Sequence, residues 1–182
     1  MTSDKKIFSR YLYKTDYVKD IASFRKDIVS KKVIPYQVEI QPGPTSAKIC
    51  WMECPYCYGK STNDTGERLS KERYIELIKE IAKGGVKKVI FAGWATDPLF
   101  YKHIDDLVEA ALESNLIVGF NTKALNVSDR LIGLLTSKLI PDDSYMSISV
   151  DSGDNFSYNQ IHGVNLKSKL YDWVCENIRK IK

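Results

Sequence analysis

The chain has 182 residues, a hydrophobic fraction of 43% and a formal net charge of +4 at pH 7. That length accommodates one domain with a sizeable core, not two. No apolar run approaches the roughly 18 residues that span a bilayer, and no dense Lys/Arg stripe argues for nucleic acid; pieces such as Lys87-Lys88 read as solvated faces. Met1 to Lys6 lead into polar sequence and not into an apolar signal core, so a cytoplasmic protein is expected. In that compartment thiols stay reduced, and clustered cysteines point to metal or redox chemistry, not to disulfides.

Residues 1–34 are polar and aromatic, with helical spacing at Tyr17, Ile21, Phe24 and Ile28. They are expected to form a helical extension packed on a main domain over residues 35–182. Residues 36–41 alternate polar and apolar side chains as a strand does. A polar stretch from Lys60 to Gly66 leads to a helix capped by Ser70, with Tyr74, Ile78, Ile81 and Ala82 as its apolar stripe and Gly84-Gly85 as its stop.

Val86 to Ala92 form a second short strand, and Gly93 to Pro98 a loop. Ile104, Leu107, Val108, Ala111 and Leu112 then follow amphipathic helical spacing. Leu116 to Phe120 make a third strand with the polar end Asn121-Thr122-Lys123. Ser128 or Asp129 caps the next helix, whose inner face carries Leu131, Ile132, Leu134 and Leu135. Met146 to Val150 are the fourth strand, ending at Asp151-Ser152-Gly153. Residues 154–165 read as a polar loop, and a last helix sets Leu170, Val174, Ile178 and Ile181 on one side.

Strand and helix thus alternate through four βα units. This order predicts an α/β fold with a parallel sheet and right-handed crossovers. Loops at the strand C-terminal ends then share one edge, where ligands bind in such folds. Four units cannot close a barrel of eight, so the sheet is open or the chain is part of a longer barrel.

One stretch on that edge carries chemistry. Cys50-Trp51-Met52-Glu53-Cys54-Pro55-Tyr56-Cys57 spaces three thiols as Cys-x3-Cys-x2-Cys, with turn formers Pro42, Gly43 and Pro44 just upstream. A structural zinc or an ordinary iron–sulfur cluster takes four protein ligands. Three thiolates leave one metal corner open to an outside molecule. The competing arrangement is a zinc knuckle completed by His103, His162 or Cys175, although structural zinc usually splits its ligands into two pairs.

Set after the first strand of a βα series, this motif resembles the radical S-adenosylmethionine (radical SAM) superfamily, and the resemblance spans roughly residues 35–182. It implies a partial, TIM-like barrel without its last strands. It implies that Cys50, Cys54 and Cys57 hold a [4Fe-4S] cluster whose fourth iron chelates the amino and carboxylate groups of SAM. Tyr56 takes the place of an aromatic that lies near the adenine. Gly93-Trp94-Ala95-Thr96-Asp97-Pro98 resembles, in longer form, the Gly-Gly-Glu-Pro-like loop that holds the SAM amino group, with Gly93 and Asp97 as its candidates. Asn121, Thr122, Lys123, Ser149 and Asp151 stand where strand ends touch the ribose and carboxylate.

The implied activity is reductive cleavage of SAM to a 5'-deoxyadenosyl radical that abstracts hydrogen from a peptide or small-molecule substrate. An electron donor such as flavodoxin or ferredoxin would serve it. A non-catalytic iron–sulfur or zinc-binding scaffold with a degenerate SAM site is the alternative. On their own, Lys123 reads as solvated, His103 and His162 as surface or packing residues, and Cys175 as a small buried side chain on the last helix. Trp94 suits either the core or a substrate wall.

Overall fold

Alternation on each strand sorts the side chains to two faces, and the four strands keep that sorting in register. The computed structural model describes residues 21–31, 33–43, 50, 52–57, 59, 69–93, 96–137 and 139–181, with backbone alone at 21–24. Strands β1 (Gln37–Ile40), β2 (Lys88–Phe91), β3 (Ile117–Thr122) and β4 (Tyr145–Ile148) pair in parallel in the order β1-β2-β3-β4. Ile40, Phe91, Phe120 and Met146 form one row across the sheet. Glu39, Ile90, Gly119 and Tyr145 form the neighbouring row, which the pleat turns to the opposite face.

Helices α2 (Lys71–Lys83), α3 (Ile104–Glu113) and α4 (Asp129–Leu135) cover the Ile40–Phe120 face. Their Ile78, Leu107, Ala111 and Leu131 are fully buried with Val89, Phe91 and Phe120. Each large apolar side chain buried this way contributes about 1.5–3 kcal/mol. Helix ends follow the capping residues: Ser70 Oγ accepts from Arg73 N at 3.2 Å, and Ser128 Oγ from Leu131 N at 2.9 Å, so Ser128 and not Asp129 is the cap of α4. The α/β reading, with four parallel strands in an open sheet, therefore holds.

A second apolar cluster lies toward the C-terminal edge. It joins Met52 and Cys54 of the thiol loop to Leu125, to Tyr158 of α5 (Asn155–Ile161) and to Leu170 and Val174 of α6 (Leu170–Ile181). Helix α5 corrects the polar loop expected over 154–165. Asp154 caps it through Ser157 N at 2.9 Å, and its buried residues are Tyr158 and Asn159. A helix that buries polar and aromatic groups has no aliphatic stripe for periodicity to find.

Helix α1 spans Ile21–Val29, within the stretch where helical spacing was read, and its Ile28 is 53% exposed. Tyr17, Pro44, the Lys60–Gly66 stretch, Trp51, Trp94 and Ala95 lie outside the described residues. None of the described helices is long and apolar enough to cross a membrane.

Candidate metal and cofactor site

Pro55 and Tyr56 form a tight turn in the thiol loop, closed by a hydrogen bond from Cys57 N to Cys54 O at 3.0 Å. Cys54 is buried, while Cys50 and Cys57 are half-buried; all three are free thiols. They line one cleft of about 320 Å³ with Gly93, Thr96 and Asp97 from the loop after β2, Asn121, Thr122 and Lys123 from the end of β3, and Ser149 beyond β4. That volume lies within the size range of small-molecule sites. The topology thus brings together the three cysteines, the loop after β2, the end of β3 and Ser149, whereas Asp151 joins through Tyr56 and Lys123 without lining the cleft.

Burial pushes the Cys50 thiol up, and the neighbouring Cys54 and Cys57 push it the same way against a hydrogen bond with the Met52 backbone. Thiols that hinder one another's ionisation suit a centre that supplies positive charge. Among the described residues, no three His, Cys, Asp or Glu side chains form a group set to hold a single metal ion. A lone ion gathers its sulfur ligands within about 2.3 Å of one point. A cluster gives each thiolate its own iron and so spreads its ligands more widely than a lone ion does. The thiol chemistry of Cys50, Cys54 and Cys57, on the lining of one cleft, suits iron.

The loop after β2 is shaped by close main-chain approach. A Cβ at Gly93 would lie 1.6 Å from the carbonyl oxygen of Thr96, so only glycine fits this backbone. Thr96 Oγ1 is buried and has no hydrogen-bond partner among the described residues, the kind of orphaned group that a ligand satisfies. Asp97 is 7% exposed and accepts from Leu99 N at 2.9 Å, from Thr122 Oγ1 at 2.7 and 2.9 Å, and from Lys123 N at 2.6 Å. Burial pushes its carboxyl up, against the pull of these donors. Asp97 therefore pins the loop to the end of β3.

Asn121 and Ser149 are exposed in the cleft, whereas Thr122 is buried and engaged with Asp97 and Ala124 N. Lys123 is not the solvated residue expected. Its side chain is 16% exposed, and its ammonium pairs with Asp151 and donates to Tyr56 Oη at 3.2 Å. Asp151, beyond β4, holds a left-handed backbone, φ 56°. Burial alone would raise the Asp151 carboxyl, but the Lys123 ammonium holds it below the ordinary carboxylate range. Tyr56 Oη in turn donates to Asp151 at 3.1 Å. Burial, then the Cys54 thiol and Asp151, keep the phenol above its usual range.

Of the two expectations for His162, surface or packing, packing holds, but at the end of a helix and not in a polar loop. It caps the C-terminus of α5, is fully buried, and sets Nδ1 3.1 Å from Cys54 Sγ. Burial, followed by the Lys123 ammonium, brings its pKa down to about 4. His103 is half-buried at the start of α3, 3.6 Å from Asp106. Cys175 is half-buried on α6 and not deeply buried as expected; it does not line the cleft. Glu39 lines the cleft without having been expected there, while Thr96 was expected only as part of its loop and, in a site role, His162 only as a possible zinc ligand. The readable signal for Glu39 was its place as the polar residue between Val38 and Ile40 on β1.

A parallel βα sheet with a three-thiol loop on its C-terminal edge defines the class of protein. The radical SAM superfamily model matches residues 45–182, and the chain belongs to that superfamily. An uncharacterized protein from Archaeoglobus fulgidus is 29% identical over 134 residues, covering 70% of this chain and 30% of that protein. A probable GTP 3',8-cyclase from Methanosarcina mazei is 30% identical over 119 residues, 63% of this chain and 34% of the cyclase. Among solved structures, Streptococcus suis SuiB bound to S-adenosylmethionine matches with a TM-score of 0.60 at 19% identity, over 95% of this chain and 40% of SuiB. SuiB bound to the precursor peptide SuiA gives the same values, and at this identity the likeness is one of fold. The chain spans about a third of the length of the curated relatives it matches.

Proposed function

We propose that residues 35–182 form the cluster- and SAM-binding domain of a radical SAM enzyme, with residues 1–34 as a helical extension. The observation that carries this reading is that Cys50, Cys54 and Cys57 line the same cleft as the tips of β2 and β3 and the residue just past β4. In it, the three thiolates hold a [4Fe-4S] cluster and SAM occupies the cleft. When bound, such a cluster supplies one electron to the SAM sulfonium, and cleavage yields methionine and a 5'-deoxyadenosyl radical able to take hydrogen from substrate. A peptide is one substrate class, in keeping with the peptide-bound SuiB structure, and a small molecule is the other, in keeping with the cyclase relatives.

The chain's own residues position and exclude. Gly93 lets the main chain approach closely, and Asp97 holds that loop in place. Thr96, Asn121 and Ser149 offer polar groups to SAM from three sides of the cleft. Met52, Ala92 and Pro98 keep water from the reacting bond. Tyr56, tethered through Asp151 and Lys123, is the aromatic placed for the adenine.

One observation favours a second reading, a scaffold with a degenerate SAM site. The Asp97 carboxylate, expected at the SAM ammonium, already serves three protein donors. Oxygen-free purification, reconstitution with iron and sulfide, reduction and assay for 5'-deoxyadenosine separate the two. Cluster with product supports the enzyme. Cluster without product supports the scaffold. Stoichiometric zinc without a cluster overturns both iron–sulfur readings.

A further inference from the structure

The end of α5 is built against one cysteine. Glu53 N donates to His162 O at 2.9 Å, and the next residue, Gly163, takes φ 61°. A Cβ on Gly163 would stand 2.8 Å from the Glu53 carbonyl oxygen, so the turn sits directly on the main chain that leads into Cys54. Between these contacts the imidazole reaches Cys54 Sγ at 3.1 Å, across 108 residues of sequence. One turn back along α5, the Tyr158 ring packs edge-on against it with centroids 4.2 Å apart, which fixes the imidazole plane.

We propose that His162 is a positioning residue for the Cys54 thiolate, donating its Nδ1–H to Sγ and thereby raising the reduction potential of the cluster held by this loop. The inference rests on the cluster reading above. A metal-bound thiolate has lone pairs and no proton to give. The other neighbour of Nδ1 is Tyr56 Oη, also at 3.1 Å. That hydroxyl gives its own proton to Asp151, so toward Nδ1 it too is only an acceptor. Two acceptors at one ring nitrogen place the proton on Nδ1. Nε2 is then the bare nitrogen: it makes no hydrogen bond among the described residues, and the Asp151 carboxylate oxygen, 3.5 Å away, is already engaged by the Lys123 ammonium and the Tyr56 hydroxyl. Hydrogen bonds to cluster sulfurs draw negative charge from them and favour the reduced state.

The two amide side chains separate this role from packing. In His162→Asn the amide nitrogen falls where Nδ1 stands; in His162→Gln it reaches the place of Nε2. The test reconstitutes wild type, His162→Asn, His162→Gln and His162→Leu under anaerobic conditions. Iron and sulfide are assayed, and the cluster midpoint potential is read by dye-mediated titration with electron paramagnetic resonance. Expected are more negative midpoints in the Gln and Leu variants and a midpoint near wild type in the Asn variant. Should Leu prevent folding, the Asn–Gln contrast alone decides. Equal midpoints in Asn, Gln and wild type overturn the inference while leaving the cluster reading intact. A wild type that takes up no iron and sulfide overturns both.

Discussion

The hydroxyl of Thr122, the last residue of β3, donates to both carboxylate oxygens of Asp97, at 2.7 and 2.9 Å. The same hydroxyl accepts from Ala124 N at 2.9 Å. One threonine thus ties the loop after β2 to the end of β3 beneath the cleft. Thr122→Val keeps the shape and removes the hydroxyl, leaving a buried carboxylate short of a donor. We expect a loss of about 1–3 kcal/mol, read as a lower midpoint in thermal unfolding of the cluster-free protein. An unchanged midpoint would mean the tie carries no stability.

Gly93→Ala probes the main-chain approach above that tie. Its Cβ has no room beside the Thr96 carbonyl oxygen, so the loop must shift. Overpacking of this kind costs about 1–3 kcal/mol. Calorimetry should also show weaker SAM binding by the reconstituted variant. Full affinity with wild-type stability would show that the loop relaxes freely.

The Lys123–Asp151 pair sets an acid dependence. The folded-state pKa of Asp151 lies below the ordinary value, so its contribution to stability is present above about pH 4 and lost as pH falls through the folded value. The group is 38% exposed, which limits the gain to about 1 kcal/mol or less. Asp151→Asn should be less stable than wild type at pH 7 and approach it near pH 3, in paired denaturant titrations. A gap that widens on acidification would reverse the sign argued here.

Single replacements at the thiols separate ligands from bystanders. Cys50→Ala, Cys54→Ala and Cys57→Ala should each abolish the cluster, measured as bound iron and sulfide and as visible absorption after reconstitution. Cys175→Ala, on a side chain outside the cleft, should retain wild-type content. Retention of an intact cluster in Cys54→Ala would refute the ligand assignment.

Much of the architecture is local and so was legible in the amino-acid order. Period-two alternation at Val38, Glu39 and Ile40 marks a strand with one buried face, and Ser70 and Ser128 mark helix starts because a hydroxyl there satisfies an otherwise unpaired backbone N–H. Repeated βα units leave parallel pairing as the compact solution, and parallel pairing alone places the thiol loop beside the tips of the later strands. Helix α5 escaped because the face it buries, Tyr158 and Asn159 followed by His162, is polar and aromatic, so burial there follows no hydrophobic period.

What only the folded chain decided is which polar group meets which. Lys123 and Asp151 are 28 residues apart, and Cys54 and His162 are 108 apart. No spacing rule reaches so far, because a hydrogen bond depends on directions set to a few tenths of an ångström by packing from both sides. The order of residues determined that three sulfur atoms would share an edge with polar strand ends. Three-dimensional packing determined that a buried imidazole would stand against one of those sulfurs, and that an ion pair would hold the neighbouring tyrosine.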